Sequence, residues 1–320
     1  MPDKIDFTVA IPTCNGENRL PELIERLRNQ INTESLSWEI IVVDNNSTDN
    51  TAQVIQAYQK DWTCPYPLKY CFEPKQGAAY ARKRAVTEAK GRFIGFLDDD
   101  NYPTSTWISA AYTFGEQHPQ AGAYGSQIHP DWEVEPPENF ARIAPFLAIT
   151  ERGNLPLLYE PSKRLLPPSA GLVVRRQAWL ESVPDQPILT GRVAGNMLTS
   201  EDLEMLSYIQ KFGWEVWYNP EMEIYHKIPS FRLTKEYLIP FLRGIGFSRY
   251  VTRMVNIKPF YQPIVTLAYM GNDLRKIILH FIKYRNELTN DLVAKCEMQY
   301  FISSFFSPLY LWKNGYLKSK

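Results

Sequence analysis

The side chains best suited to chemistry stand where an apolar run, FIGFL at residues 93–97, ends in Asp98-Asp99-Asp100-Asn101. Three adjacent carboxylates repel one another, and a divalent cation removes that penalty by drawing their oxygens together. In a strand or tight turn Asp98 and Asp100 point roughly the same way and Asp99 the other. Asp98 and Asp100 can therefore share one metal–nucleotide site. A plainer reading is an acidic turn leading into the next helix, with Thr104 or Ser105 as its N-cap. Other reactive types recur at similar boundaries: Asp44 closes the apolar run WEIIVV, Glu201-Asp202 opens a helical pattern, and His226 ends EIY.

The elements that must position these groups alternate. Residues 7–12, 38–43, 68–72 and 93–97 read as strands, short and rich in β-formers. Between them, residues 20–30, 51–58 and 77–90 read as helices; Leu20, Leu23, Ile24 and Leu27 share one face of the first. The near-continuous apolar strands suit a parallel sheet covered on both faces. This alternation predicts a doubly wound α/β sheet, whose ligands bind at the carboxyl ends of the strands. A helix at 107–116 and a strand at 122–127 follow. Residues 129–168 are a proline-rich excursion, partly helical near 140–150, of a length expected only where it serves a function. A strand at 169–174, a helix at 201–212 and short strands at 215–218 and 222–225 complete the first part. From residue 231 helical patterns dominate: Leu274, Ile277, Ile278, Phe281, Ile282 and Leu288 keep helical spacing, with Arg275, Lys276, Lys283 and Arg285 among them. Two parts are expected, 1–230 carrying the sheet and 231–320 helical.

The 320 residues are 44% hydrophobic, enough for one large domain or two small ones. Thirty-five basic residues balance 35 acidic ones, so nothing in the charge draws the chain to nucleic acid. The start, Met1-Pro2-Asp3-Lys4-Ile5-Asp6, is too charged and too short for a signal peptide, and no apolar window reaches the length of a spanning helix. Cys14, Cys64, Cys71 and Cys296 form no CxxC pair, so a zinc site is not expected; in a cytoplasmic protein they stay reduced.

FTVAIPTCNGENRL, EIIVVDNNSTDNT, FEPKQGAAYARKRA, FIGFLDDDN, AGLVVRR, TSEDLEM and GWEVWYNPEMEIYH occur in that order. As a set they resemble a family-2 inverting glycosyltransferase of the GT-A fold, over roughly residues 5–230. More loosely, they resemble bacterial enzymes of surface and exopolysaccharide assembly. The resemblance implies a mixed, mainly parallel sheet with a helical C-terminal extension. It implies transfer of a sugar from a nucleotide-sugar to an acceptor hydroxyl with inversion, aided by Mg²⁺ or Mn²⁺. Asp100 would ligate the metal and Asp98 would lie nearer the ribose or base, while Asp99 varies in the family and has no assigned part. Pro12, Thr13, Asn15 and Asp44 match positions that hold the nucleotide. An acid suits residue 44 because it accepts from a uracil imide N–H, which favours a UDP-sugar. Gly77 would let backbone approach the ligand at a helix N-terminus, and Arg82 would pair with the diphosphate or with Asp98 or Asp100. Gly171 matches a glycine beside the donor sugar. Asp202 matches the base and Glu201 its neighbour in acceptor or sugar binding, although Ser200-Glu201-Asp202 also suits a helix start. His226 matches a position that often completes the metal site.

The excursion at 129–168 and the region after 231 leave the shared pattern and are expected to shape the acceptor side. The basic-aromatic C-terminal region suits either a helical subdomain packed on the sheet or a membrane-proximal surface meeting a lipid-linked glycan. The expected location is cytoplasmic, with the inner face of the cytoplasmic membrane as a second setting. A nucleotidyltransferase acting on sugar phosphates also uses strand-end carboxylates and a metal, but it carries a Gly-rich basic loop where this chain has TCNGENRL. A dehydrogenase would need GxGxxG after the first strand. A non-catalytic carbohydrate-binding protein retaining the fold is the remaining alternative, and the intact Asp98, Asp100 and Asp202 speak against it.

Overall fold

A computed structural model describes residues 5–163, 165–193 and 197–317. The charged start at 1–4, Arg164 of the proline-rich excursion and the last three residues of the C-terminal region lie outside the described residues. The chain forms two compact units. One comprises Met1–Asp131, Ala148–Pro184 and Tyr208–Lys227; the other comprises Trp132–Leu147, Asp185–Ser207 and Ile228–Lys320. The last piece of the second unit starts close to the boundary expected at 231, and two earlier pieces join it.

The first unit is built on a mixed sheet. Its elements are β1 (Phe7–Thr13), α1 (Leu20–Arg28), β2 (Trp38–Asp44), α2 (Thr51–Lys60), β3 (Leu68–Phe72), α3 (Ala78–Glu88), β4 (Phe93–Phe96), β5 (Asn101–Pro103), α4 (Trp107–Gln117), β6 (Ala121–Trp132), β7 (Leu157–Leu158), β8 (Leu172–Arg175) and α5 (Arg176–Ser182). Then come α6 (Glu201–Lys211), which begins in the second unit, and β9 (Glu215–Ile228). The spatial order is β3-β2-β1-β4-β8-β6-β9-β5, with β7 beside β9. The strands β3, β2, β1 and β4 run parallel, and β8 turns antiparallel to β4. The chain moves outward from β1 through β2 to β3, then returns to the other side of β1 as β4. A crevice opens at the carboxyl end of such a switch point, and the carboxyl ends of β1 and β4 are Thr13 and Asp98-Asp99-Asp100.

Every residue of β1 and β2 is buried, as apolar parallel strands require. Leu20, Leu23, Ile24 and Leu27 of α1 pack into the same core as Phe7, Val9, Ile40 and Phe93. At the opposite end of the sheet from the acidic run, buried Glu39 accepts from Thr8 Oγ1, Lys69 Nζ and the Lys90 N–H. A buried charge is tolerated there because its lone pairs are used.

The strand expected at 122–127 extends to Trp132, and the two short strands expected at 215–218 and 222–225 are one strand, β9. Pro220 explains the misreading, since proline withholds a ladder N–H. It falls between the part of β9 that pairs with β7 (Trp217, Tyr218) and the part that pairs with β5 (Ile224 to His226), where the ladder changes partner. Within 140–150 the helix is two short 3₁₀ turns, Phe140–Arg142 and Ala144–Leu147. All four cysteines are free.

The second unit is helical: α7 (Lys235–Met254), α8 (Gln262–Tyr284) and α9 (Leu292–Lys313). Arg142 reaches α9 through a forked bond to Glu297 and lies over the Tyr284 ring. Arg253 of α7 makes a bidentate bond to buried Asp273 of α8, at 2.5 and 2.8 Å. Among the described residues no helix is long and apolar enough to cross a membrane.

Candidate active site

The loops after β1 and β2 are laced together. The Asn15 N–H donates to Ser47 Oγ, the Gly16 N–H to Thr51 Oγ1 and the Glu17 N–H to Asp49, while the N–H groups of Thr48 and Asn50 donate back to Asn15 and Glu17 side chains. Asn15 sits at φ 54°, a left-handed conformation that asparagine tolerates. Thr13 turns its hydroxyl to Asp99 Oδ2 at 2.5 Å. Arg19 donates from Nε to Asp99 Oδ1 at 2.7 Å and from Nη2 to Oδ2 at 2.9 Å. Asp99 thereby locks the β4 end to the β1 loop. Burial raises its pKa, while the Arg19 and Thr13 bonds oppose that rise. A Cβ at Gly16 would come within 2.2 Å of Thr13 Oγ1 and 2.8 Å of Asp99 Oδ2, so this junction needs a glycine. Neither Asp99 nor Arg19 was assigned from sequence.

Asp44 is buried at the end of β2, with Oδ1 accepting the Ser47 N–H at 2.9 Å and Oδ2 accepting the Tyr70 hydroxyl at 2.8 Å. Burial and the neighbouring Asp44 push the Tyr70 phenol up to about 12. Asp44 thus also holds the turn after β2. Asn45 next to it spans to the following loop. Its amide donates to the Glu73 and Lys75 carbonyls, and its oxygen accepts the Gly77 N–H at 2.7 Å. Gly77 has φ 133°, a region few other residues enter, and it opens α3. Asn45 went unrecognised in the sequence because a single Asn after a strand has no distinguishing pattern.

Arg82 on α3 is buried, donating to Ser169 Oγ at 2.8 Å and to Asp98 Oδ1 at 3.3 Å. Asp98 is one of the partners expected for it. Arg84, by contrast, makes a surface pair with Glu88. Asn101 is buried and organises the acidic turn: its Oδ1 accepts the Asp98 N–H, its own N–H donates to the Asp98 carbonyl, and its amide donates to Asp100 Oδ1. In the β5–β9 ladder Asn101 sits opposite His226. That register brings His226 Nε2 to 3.7 Å from Asp100 Oδ2, with both residues buried. Asp100, Asp98, Arg82 and His226 are thus brought to one end of the sheet.

The Asp100–His226 separation is too long for a hydrogen bond. It is within about 1 Å of the spacing between neighbouring ligands in an octahedral shell with bonds near 2.1 Å. One carboxylate and one imidazole fit a Mg²⁺ or Mn²⁺ ion that draws its other ligands from substrate phosphates and water. Among the described residues no three His, Cys, Asp or Glu side chains gather into an all-protein metal cage.

Gly171 has φ 63°, and a Cβ there would approach Ser126 Oγ to 2.5 Å and Ile224 Cδ1 to 2.9 Å. Ser126 in turn donates to the Gly171 carbonyl and accepts from Trp107 Nε1. Packing against Ser126 and Ile224 requires a glycine here. Trp179 lies in the core against Phe96.

Glu201 and Asp202 open α6 within the second unit. Ser200 precedes them at φ 73°, and its carbonyl accepts the Glu204 N–H. Glu201 is buried; Asp202 is partly exposed, and its Oδ1 accepts the Leu203 N–H at 2.8 Å. Glu204, two residues on, is almost fully buried and accepts the N–H groups of Ile188 at 3.0 Å and Leu189 at 2.7 Å. Burial pushes its carboxyl up to about 7. Glu204 was missed by sequence reasoning; a third acid in the helix's first turn looks like one more favourable charge at the N-terminus.

A family model described as "Glycosyl transferase family 2" matches residues 8–168. The poly(ribitol-phosphate) beta-N-acetylglucosaminyltransferase TarS of Staphylococcus aureus is 30% identical over 112 residues, covering 35% of this chain and 19% of that protein. The match thus spans about a fifth of that relative's length. The crystal structure of S. aureus TarS 1–349 in complex with UDP-GlcNAc superposes with a TM-score of 0.53 at 17% identity, over 97% of this chain and 92% of that one. The Pyrobaculum calidifontis mannosyltransferase PcManGT, in complex with GDP-Man and Mn²⁺, superposes with a TM-score of 0.62 at 16% identity, over 97% and 88% of the two chains. At these identities the likeness to solved structures is one of fold.

Proposed function

This chain belongs to glycosyl transferase family 2 and has the GT-A fold, and on that premise we propose that it moves a sugar from a nucleotide-sugar, a UDP-sugar being the favoured donor, to a hydroxyl of a glycan or lipid-linked glycan. The reaction inverts the anomeric centre and serves the assembly of a surface polysaccharide. The observation that carries the reading is the meeting of Asp98, Asp100, Arg82 and His226 at the carboxyl end of the parallel strands.

In this reading Pro12, Thr13 and Asn15 line the nucleotide side. Asp44 has lone pairs beyond those used by Ser47 and Tyr70, and one of them accepts the uracil imide N–H. Asp98 faces the ribose. Arg82, held by Ser169 and Asp98, and the N-terminus of α3 beyond Gly77 supply positive potential for the diphosphate. Asp100 and His226 would hold the divalent cation. When bound, the cation neutralises charge developing on the departing diphosphate. Gly171 lies toward the donor sugar, and Glu201 contributes to acceptor or sugar binding. Asp202 is the general base: the acceptor oxygen bonds to the anomeric carbon, the bond from that carbon to the diphosphate breaks, and the hydroxyl proton passes to Asp202. A carboxylate in this role contributes about 10²–10⁴ in rate.

The test is a panel of UDP- and GDP-sugars titrated into the protein with Mg²⁺ or Mn²⁺, followed by an assay for nucleoside diphosphate released by slow hydrolysis. At least one donor should bind in a metal-dependent way and turn over. No binding across the panel with either metal would overturn the proposal.

A further inference from the structure

Helix α8 is inverted. Its two buried residues are polar, Asp273 and His280. Asp273 takes the forked bond from Arg253, and His280 Nε2 donates to the Ala294 carbonyl at 2.9 Å. A set of apolar residues faces solvent: Ile264 is 68% exposed, Leu267 70%, Leu274 46%, Ile278 49% and Phe281 54%, with Phe260 82% exposed just before the helix. These positions advance by threes and fours through Gly271, so they form one stripe along the helix. A Cβ at Gly271 would meet nothing within 4 Å, which leaves the stripe uncovered through its middle. Exposed Lys258, Arg275, Lys283 and Arg285 flank it, and buried Asp273 is the sole acid between residues 256 and 286.

An apolar stripe bordered by cations and free of exposed acids fits one kind of surface. We propose that α8 docks on an anionic phospholipid bilayer, lying in the interfacial plane with the stripe in the acyl boundary and the Lys and Arg side chains at the headgroups. The helix is about 35 Å long at 1.5 Å per residue, and its direction is along the membrane, since no described helix suits a crossing. A second copy of the chain is a poorer occupant, because pairing this face with itself sets cations against cations with no acid in the strip to answer them. The proposal does not depend on the reading of the donor site; vesicle binding needs no sugar nucleotide.

The experiment is co-sedimentation of the full chain with vesicles of phosphatidylglycerol and phosphatidylcholine, or of phosphatidylcholine alone, at low and high salt. The chain should bind the anionic vesicles at least tenfold more tightly, with a loss on raising salt. Ile264→Ser/Leu267→Ser/Ile278→Ser, all at exposed positions, should cut binding at least tenfold with an unchanged circular dichroism spectrum. Arg275→Gln/Lys283→Gln/Arg285→Gln should erase the preference for anionic lipid. A wild-type chain left in the supernatant with anionic vesicles would overturn the proposal, whatever the variants do. So would a dimer in analytical ultracentrifugation that the triple serine variant abolishes, since that would make the stripe a self-association surface.

Discussion

Arg19 and Asp99 are joined by two near-parallel N–H···O bonds of 2.7 and 2.9 Å across 80 residues of sequence. The fork fixes the loop after β1 against the end of β4, and Thr13 completes it. Asp99→Asn leaves the Arg19 cation facing a neutral amide. Because Arg19 is 41% exposed, water softens the loss, and the expected cost is about 1–3 kcal/mol. The expected result is a lowered melting temperature together with weaker nucleotide binding, by calorimetry, as the loop loosens. Nucleotide affinity unchanged by the substitution would show that the fork is structural alone.

Asp100→Asn should behave in the opposite way. It removes one of two adjacent buried like charges, so stability should hold or rise. Mn²⁺-dependent nucleotide binding should nevertheless fall at least tenfold, matching wild-type protein treated with EDTA. Thermal melts and calorimetry with and without Mn²⁺ separate the two acids. Metal dependence equal to wild type in Asp100→Asn would remove this residue from the cation site.

For Asp202 the expectation concerns rate and leaves binding untouched. Asp202→Asn should retain donor affinity within about twofold and reduce transfer at least 10²-fold, the contribution typical of a general base. Lost donor affinity with an intact fold would move Asp202 to the donor side.

Glu204 should give a pH signature. Its folded-state pKa, about 7, lies above the ordinary glutamate value of 4.5. The fold therefore prefers the protonated form. The associated stability is complete below about pH 4.5 and is lost as pH rises through about 7, amounting to at most about 3 kcal/mol. Glu204→Gln lacks this titration. The difference in melting temperature between wild type and the variant should shift in the variant's favour from pH 5 to pH 8. A constant difference across that range would contradict the assignment.

Much of the sheet was legible because apolar runs ending in acids or amides mark buried parallel strands and the ends where ligands gather. What composition and spacing could not read was pairing across long sequence distance; the family resemblance alone pointed from Arg82 and His226 to the acidic run. Nothing local ties Arg19 to Asp99, Asn45 to the 73–77 loop, or His226 to Asp100; each follows from strand order and register, which the tertiary fold sets. In α8 the helical spacing was evident, but periodicity reports that a stripe exists and is silent on whether it faces the core or the solvent. Glu204 shows the same limit: its burial depends on the 188–189 segment folding back over it.

The reciprocal bonds between the loops after β1 and β2, in which Asn15 and Glu17 both give and receive, bear on the thermodynamics of ligand capture. Loops ordered by one another have already lost their conformational freedom when the chain folds. A nucleotide entering between them immobilises little further backbone, so its contacts appear as affinity with little diverted to ordering. Calorimetry on such a cradle should return a binding entropy less unfavourable than that of a variant, such as Glu17→Ala, in which the lacing is cut.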